Sequence, residues 1–513
     1  MTLRALAVAA LVLLPSLPLA APEAFRCEKR GGSAWRELRT EHFLLDTDLA
    51  PAEAGVLARQ LEELHALELR ALVGEVVDIP GRLRVVALRD PRQFRDLAGE
   101  DYRAYYRRSP GRQAIVLQSE GLRVAPEVVA HELVHHLSSF LFPRQAPWFA
   151  EGLAHFVQTV AEARKAEFAK TGSHIARAGA DLSGGRWVGL APSELANAIR
   201  VMPLVPVRQL LAWNGTINHA LPDQFHLSSW LLYHYLWNKR SRELGEYQRR
   251  LGDGESPATA WRAAFPEYDP ERPETLQPLD AELERYRRGG RFTSYQVPLV
   301  ATEVMATERD LSSADVHLVI AGARLYWPER PAEAKALVAA EVDEALREDP
   351  GNPEALARRA ARERTPVVVA LRAATVARPN DWRAWYFLAT QLTAPRDAVE
   401  REASCRKALA LDTDAPAPQN DLAWLLVESG RAREALPFAN RAVDLAPWDP
   451  AYLDTLATVA LELGQCPQAL QLAQRAVETA EGGLATTLTR HQEQVQRRCA
   501  TPASSVTPVP QRP

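Results

Sequence analysis

Lysine is nearly missing from this sequence. Of 61 Lys and Arg residues only six are Lys, a bias that reads as coding preference before function. Net charge is sparse too, since 65 acidic residues against 61 basic ones leave a formal charge of -4. So small a balance over 513 residues removes any global electrostatic case for nucleic acid as a partner. No uninterrupted apolar stretch reaches the ~20 residues of a membrane helix, so no stable span is expected. Cysteine is scarce, and Cys27, Cys405, Cys466 and Cys499 lack the spacing of a metal cluster. An even number in an exported chain permits disulfides. Cys466 with Cys499 is the favoured pair because both fall in the last helical region; four buried free thiols are the alternative.

What is present is a normal globular balance, 47% hydrophobic and 25% charged, in a chain long enough for two to four domains. The N-terminus carries Arg4, an apolar stretch from Ala5 to Leu14, then Pro15, Pro18 and the small residues Ala20 and Ala21. That is the layout of a signal peptide over residues 1–21, so export to the periplasm or outside the cell is expected. Arg26 stands where a lipoprotein signal has a small residue before its cysteine, so Cys27 is not expected to be acylated.

From Trp35 to about Val160 short strands and helices alternate. Phe43 to Leu45, Leu83 to Leu88 and Ala114 to Leu117 are apolar runs bounded by turn residues and read as strands. Pro51 to Leu72 has helical spacing and should cover one sheet face. Two helices follow, roughly Pro126 to Phe140 and Pro147 to Val160. An α+β unit is therefore expected over 28–160, with a helical second wall of a cleft over 161–300. Within that wall Leu182 to Gly185 reads as a loop, and an apolar helix runs from about Phe225 to Asn238.

Beyond residue 300 the sequence repeats itself. Leu388-Ala389, Leu422-Ala423 and Leu456-Ala457 are 34 residues apart, as are Ala408, Ala442 and Ala476, and Gly430 and Gly464. Small residues at matched positions let two helices of a hairpin approach closely, and a fixed step marks stacked units. These residues resemble the tetratricopeptide repeat family, clearly over about Asp381 to Glu481 and more weakly from Glu354. An all-α repeat domain is expected over 301–500, with a disordered tail over 501–513. The resemblance implies a surface for a protein or peptide partner.

The chemistry-bearing segment is His131-Glu132-Leu133-Val134-His135. Four residues make about one helical turn, so both histidines project from one face and can share a cation, while Glu132 lies roughly 100° round the helix. The imidazoles can hold one Zn2+ ion and the carboxylate can take a proton from the water that zinc acidifies. Hydrolytic zinc takes three protein ligands, and Glu151 in Trp148-Phe149-Ala150-Glu151-Gly152-Leu153-Ala154 supplies a third from the next helix. Gly152 and Ala154 are expected to keep that helix close to the first.

HELVH followed by WFAEGLA resembles the gluzincin clan of zinc peptidases, in particular the peptidase MA-like group. The match covers about Val128 to Phe156 and implies a zincin-like catalytic domain. His131, His135 and Glu151 are then zinc ligands and Glu132 the general base. The 15 residues between His135 and Glu151 are slightly fewer than in zinc aminopeptidases, which bears on the subfamily. The clan commonly adds a downstream Tyr or His that stabilises the oxyanion. His226 stands where similar proteins often show Tyr and is the first candidate, ahead of Tyr233 and Tyr235. His136 is expected on the surface or in packing, and His155 either behind Glu151 or simply exposed. No Gly-x-Met-Glu-Asn segment occurs, so capture of a substrate N-terminus has no support. The expectation is an exported zinc metallopeptidase acting on peptides or proteins. Its alternative is an exported repeat scaffold whose zinc domain is structural or degenerate.

Overall fold

The computed structural model describes residues 24–98, 102–109, 112–118, 126–161, 186–192, 195–213, 222–298, 302–324, 331–480 and 482–500. The expected signal peptide, the Leu182 to Gly185 loop and the tail over 501–513 lie outside these residues.

The first unit runs β1 (Trp35–Arg39), β2 (Phe43–Thr47), α1 (Pro51–Val73), β3 (Leu83–Leu88), α2 (Pro91–Ala98), β4 (Ala104–Ser109) and β5 (Arg112–Gln118). α3 (Pro126–Leu141) and α4 (Pro147–Val157) follow. After β6 (Arg186–Val188) and two short helices come α5 (Pro222–Lys239), α6 (Ser241–Gly252), α7 (Pro257–Ala264), α8 (Gln277–Gly289), β7 (Tyr295–Val297) and β8 (Thr307–Leu311).

Six strands form one mixed sheet in the order β4-β5-β3-β2-β1-β8. β2, β3 and β5 are parallel, in a register that sets Leu45 beside Val85 and Val85 beside Ile115. Parallel neighbours need a crossover, and α1 provides the one from β2 to β3. β1, β4 and β8 pair antiparallel at the flanks. Side chains of a strand alternate between faces, and both faces are covered here. Leu45, Val85, Ala87, Ile115 and Leu117 pack in the main core with α1, α3 and α4. Val86, Leu88, Val116 and Leu311 turn the other way, against Phe94 of α2 and a helix that follows β8.

That helix is α9 (Ser313–Arg324), and from it the chain continues as α10 (Pro331–Glu348), α11 (Pro353–Glu363) and α12 (Val368–Ala377). Then come α13 (Trp382–Gln391), α14 (Ala398–Leu411), α15 (Pro416–Glu428), α16 (Ala432–Leu445), α17 (Pro450–Glu462), α18 (Cys466–Thr479) and α19 (Gly482–Ala500). The starts of α13, α15 and α17 are 34 residues apart, and so are those of α14, α16 and α18. This is a tetratricopeptide-like array of helical hairpins. Gly430 and Gly464 close the first helix of successive hairpins with φ of 73° and 76°, a conformation that disfavours any other residue. Asp449 caps α17, its side chain accepting from the backbone of Ala451 at 2.9 Å. Cys466 and Cys499 form a disulfide that ties α18 to α19, while Cys27 and Cys405 are free and buried.

The array returns to the first unit. Trp448, between α16 and α17, sets its ring edge-on to Phe140 of α3 with centroids 5.1 Å apart. Arg144 donates to the Gly254 carbonyl at 3.0 Å and pairs with Glu478 of α18. The sequence reading starts the repeats at residue 301, whereas β8 lies beyond that point and completes the sheet against β1. Among the described residues no helix is long and apolar enough to cross a membrane.

Candidate functional site

α3 begins at Pro126 with Glu127 in its first turn, where proline's fixed φ and a negative charge both suit a helix start. Its apolar face, Val129, Ala130, Leu133, Val134 and Leu137, is buried, which leaves His131 and His135 on the partly open side. α4 starts at Pro147 behind an extended Ala146. It folds back so that Glu151 meets both imidazoles.

Three donor atoms converge. His131 Nε2 and His135 Nε2 lie 3.0 Å apart, and the Glu151 carboxylate is 3.2 Å from the first and 3.6 Å from the second. Tetrahedral zinc with bonds of about 2.0 to 2.1 Å separates neighbouring ligand atoms by about 3.3 Å. The residues therefore fit one such ion with minor side-chain adjustment. The Nδ1–H of His131 donates to Gln158 Oε1 at 2.7 Å, which turns the Nε2 lone pair towards the other two donors. Glu132 points elsewhere, one oxygen accepting from the Tyr106 N–H of β4 at 2.8 Å.

The electrostatics follow from burial and neighbours. Burial pushes Glu151 towards its neutral form, but His135 and hydrogen bonds from His131, His135 and His226 outweigh that and hold its carboxyl well below the usual range. Burial would lower His135, yet the Glu151 charge prevails and raises it. For Glu132 burial wins over the nearby histidines and the Tyr106 N–H, so its carboxyl is more basic than an ordinary glutamate. That suits a proton acceptor.

His226, on α5, reaches the same cluster. Its Nδ1 is 3.2 Å from Glu151 Oε2 and 3.1 Å from His155 Nε2. His155 is buried rather than exposed, its ring 4.4 Å from that of His131. His136 is buried against Phe140 and bonded through Nδ1 to Gln113 Oε1 at 2.8 Å, a packing role. Tyr233 and Tyr235 are directed away, their hydroxyls engaged by Gln248 and Glu282.

Two contributors were not legible. Gln158 sits seven residues after Glu151, so helical spacing returns it to the ligand face, a signal that could have found it. The Tyr106 N–H is a backbone group and leaves no mark in the sequence. One expectation needs correcting: Gly152 does not serve the contact with α3. A Cβ there would come within 2.5 Å of the Ser229 carbonyl oxygen and 2.8 Å of Tyr233 Cβ, so it is the approach of α5 that requires glycine.

No protein-family model and no curated protein matches this chain. Among solved structures it is similar to TTC0263, a thermophilic TPR protein of Thermus thermophilus, at 18% identity and TM-score 0.28 over 36% of this chain and 99% of that one. YrrB, a TPR protein with an unusual peptide-binding site, matches at 17% identity and TM-score 0.25, over 32% and 88% of the two chains. Yeast Tom70 matches at 14% identity and TM-score 0.29, over 57% and 63%. At these scores the repeat architecture rests on the chain's own helices and their 34-residue step.

Proposed function

We propose that the chain is an exported zinc metallopeptidase with a zincin-like catalytic unit and a repeat array that binds protein or peptide. The observation that carries this reading is the spacing of His131 Nε2, His135 Nε2 and the Glu151 carboxylate, with Glu132 beside them but outside the ligand set. Zn2+ held there would acidify water and polarise a peptide carbonyl. Glu132 accepts the proton of the attacking water and returns it to the departing amine. The Tyr106 N–H, bonded to one of its oxygens at 2.8 Å, fixes its orientation. His226, anchored through Glu151, is the candidate for stabilising a developing oxyanion. The Cys466–Cys499 disulfide supports an oxidising compartment.

Glu132→Gln keeps shape and removes the base. Hydrolysis of a peptide library should fall by at least 10²-fold with zinc content unchanged. Undiminished cleavage by that variant removes Glu132 from the mechanism, and no cleavage by the wild type in any peptide pool favours a binding scaffold.

A further inference from the structure

A second group of potential ligands, sharing no residue with the site just described, gathers where α1 meets the β1–β2 turn. Glu62 and His65 face inward from that helix and are 3% and 2% exposed. His42, in the turn between β1 and β2, places Nδ1 2.6 Å from Glu62 Oε2 and stacks its ring on His65, centroids 4.0 Å apart. One donor atom from each of the three residues falls within 4.8 Å of the others.

His65 is the anomaly. Its Nδ1 is buried and has no hydrogen-bond partner among the described residues. Leaving such an atom unsatisfied is costly, and folded proteins normally resolve it with a partner, a water or an ion. One turn further along the same face Glu68 is also fully buried, with both carboxylate oxygens unpartnered. A polar seam inside an apolar core, lacking partners at successive turns, points to a missing ligand.

We infer that His42, Glu62 and His65 form a second metal site, separate from the His131 cluster, that takes a borderline divalent ion such as Zn2+. Two imidazoles and one carboxylate suit Zn2+, Ni2+ or Cu2+ and do not suit Ca2+ or Mg2+, which require oxygen ligands. The three donors lie within 4.8 Å of one another, and His42 Nδ1 and Glu62 Oε2 are already 2.6 Å apart, so reaching the ~3.3 Å edges of a zinc tetrahedron needs only side-chain rotation. The near-complete burial of two ligands leaves no room for a substrate. The ion is structural, and it pins the β1–β2 turn, which carries Phe43 into the core, onto α1.

The test is zinc stoichiometry of the full chain after dialysis against trace-free buffer, with His65→Phe chosen because an aromatic ring preserves the stack on His42. The wild type should hold two equivalents, Glu151→Ala one, and Glu151→Ala combined with His65→Phe none. The isosteric Glu62→Gln should also lose one equivalent, and both α1 variants should lose most of the zinc-dependent rise in melting temperature. The inference is overturned if Glu151→Ala holds no zinc, or if the double variant still holds one equivalent, which would assign that ion to the His131 and His135 pair. A wild type with one equivalent that survives Glu151→Ala and vanishes with His65→Phe would sink the proposed catalytic site and leave this one standing.

Discussion

Gly152→Ala tests whether the contact between α4 and α5 sets the geometry of the site. The new methyl would sit 2.5 Å from the Ser229 carbonyl oxygen, 2.8 Å from Tyr233 Cβ and 3.0 Å from the Ser229 carbonyl carbon. Two of these are backbone atoms, which cannot swing aside. Restoring an ordinary contact of about 3.4 Å requires the helices to part by about 0.9 Å, and overpacking of this kind costs about 3 kcal/mol or more. Helix propensity returns about 1 kcal/mol when Ala replaces Gly, leaving a net loss of about 2 kcal/mol. Glu151 is the neighbouring residue and His226 lies on α5, so the same displacement would stretch their 3.2 Å contact towards about 4 Å. Urea denaturation should show the loss of stability, and metal analysis should show weaker zinc retention. Gly245→Ala is the control, because a Cβ there meets nothing within 4 Å on the exposed face of α6, and it should gain about 0.5 to 1 kcal/mol. Equal stabilities for Gly152→Ala and Gly245→Ala would refute the close-approach reasoning.

Gln158→Leu removes the acceptor that orients His131 and should weaken zinc binding at the His131 cluster by about 10- to 100-fold with little change in fold, measured by competition with a chelator. His234 is fully buried between the Tyr286 hydroxyl and the Gly189 carbonyl, and burial depresses its pKa to about 4. The unfolded chain therefore binds its proton first, and stability falls as pH drops below the unfolded value of about 6.5. Between pH 7.5 and 5.5 the gap between wild type and His234→Asn should narrow by about 1.4 kcal/mol in denaturant titrations; a constant gap would show that His234 is not held neutral. The Cys466–Cys499 disulfide closes a loop with a sequence separation of 33 residues, so a Cys466→Ala and Cys499→Ala pair should cost about 3 to 4 kcal/mol in the unfolding of the last hairpin.

Much of this molecule was written in periodicity. Leu83 to Leu88 and Ala114 to Leu117 are inner strands because both sheet faces demand apolar side chains, and runs that are apolar apart from Arg84 record that. The helix pairs of the array announced themselves through small residues at a fixed step. β1, β4 and β8 did not, because their sequences WRELR, AYYRRS and TERDL are largely charged or polar. Glu37 on β1 is buried beside Arg309 on β8, which pairs with it at 2.8 Å, a partnership between residues far apart in the chain. At the site His131, His135 and Glu132 were legible because one helical turn fixes their spacing, and Glu151 because hydrolytic zinc calls for a third ligand and the next helix offers it. The return of the array to α3 was not, since Phe140 and Trp448 look like any other apolar residues until they meet.

β8 carries a practical lesson for anyone dividing this protein. A fragment cut near residue 300 discards the strand that covers β1. The backbone of β1 would then face water along its full length, with Glu37 stripped of its arginine. Naked strand edges recruit one another, so such a fragment would self-associate for reasons unrelated to its chemistry. Any piece of the first unit made for study has to extend through Leu311, and through α9 if the apolar side of the sheet is to stay dry.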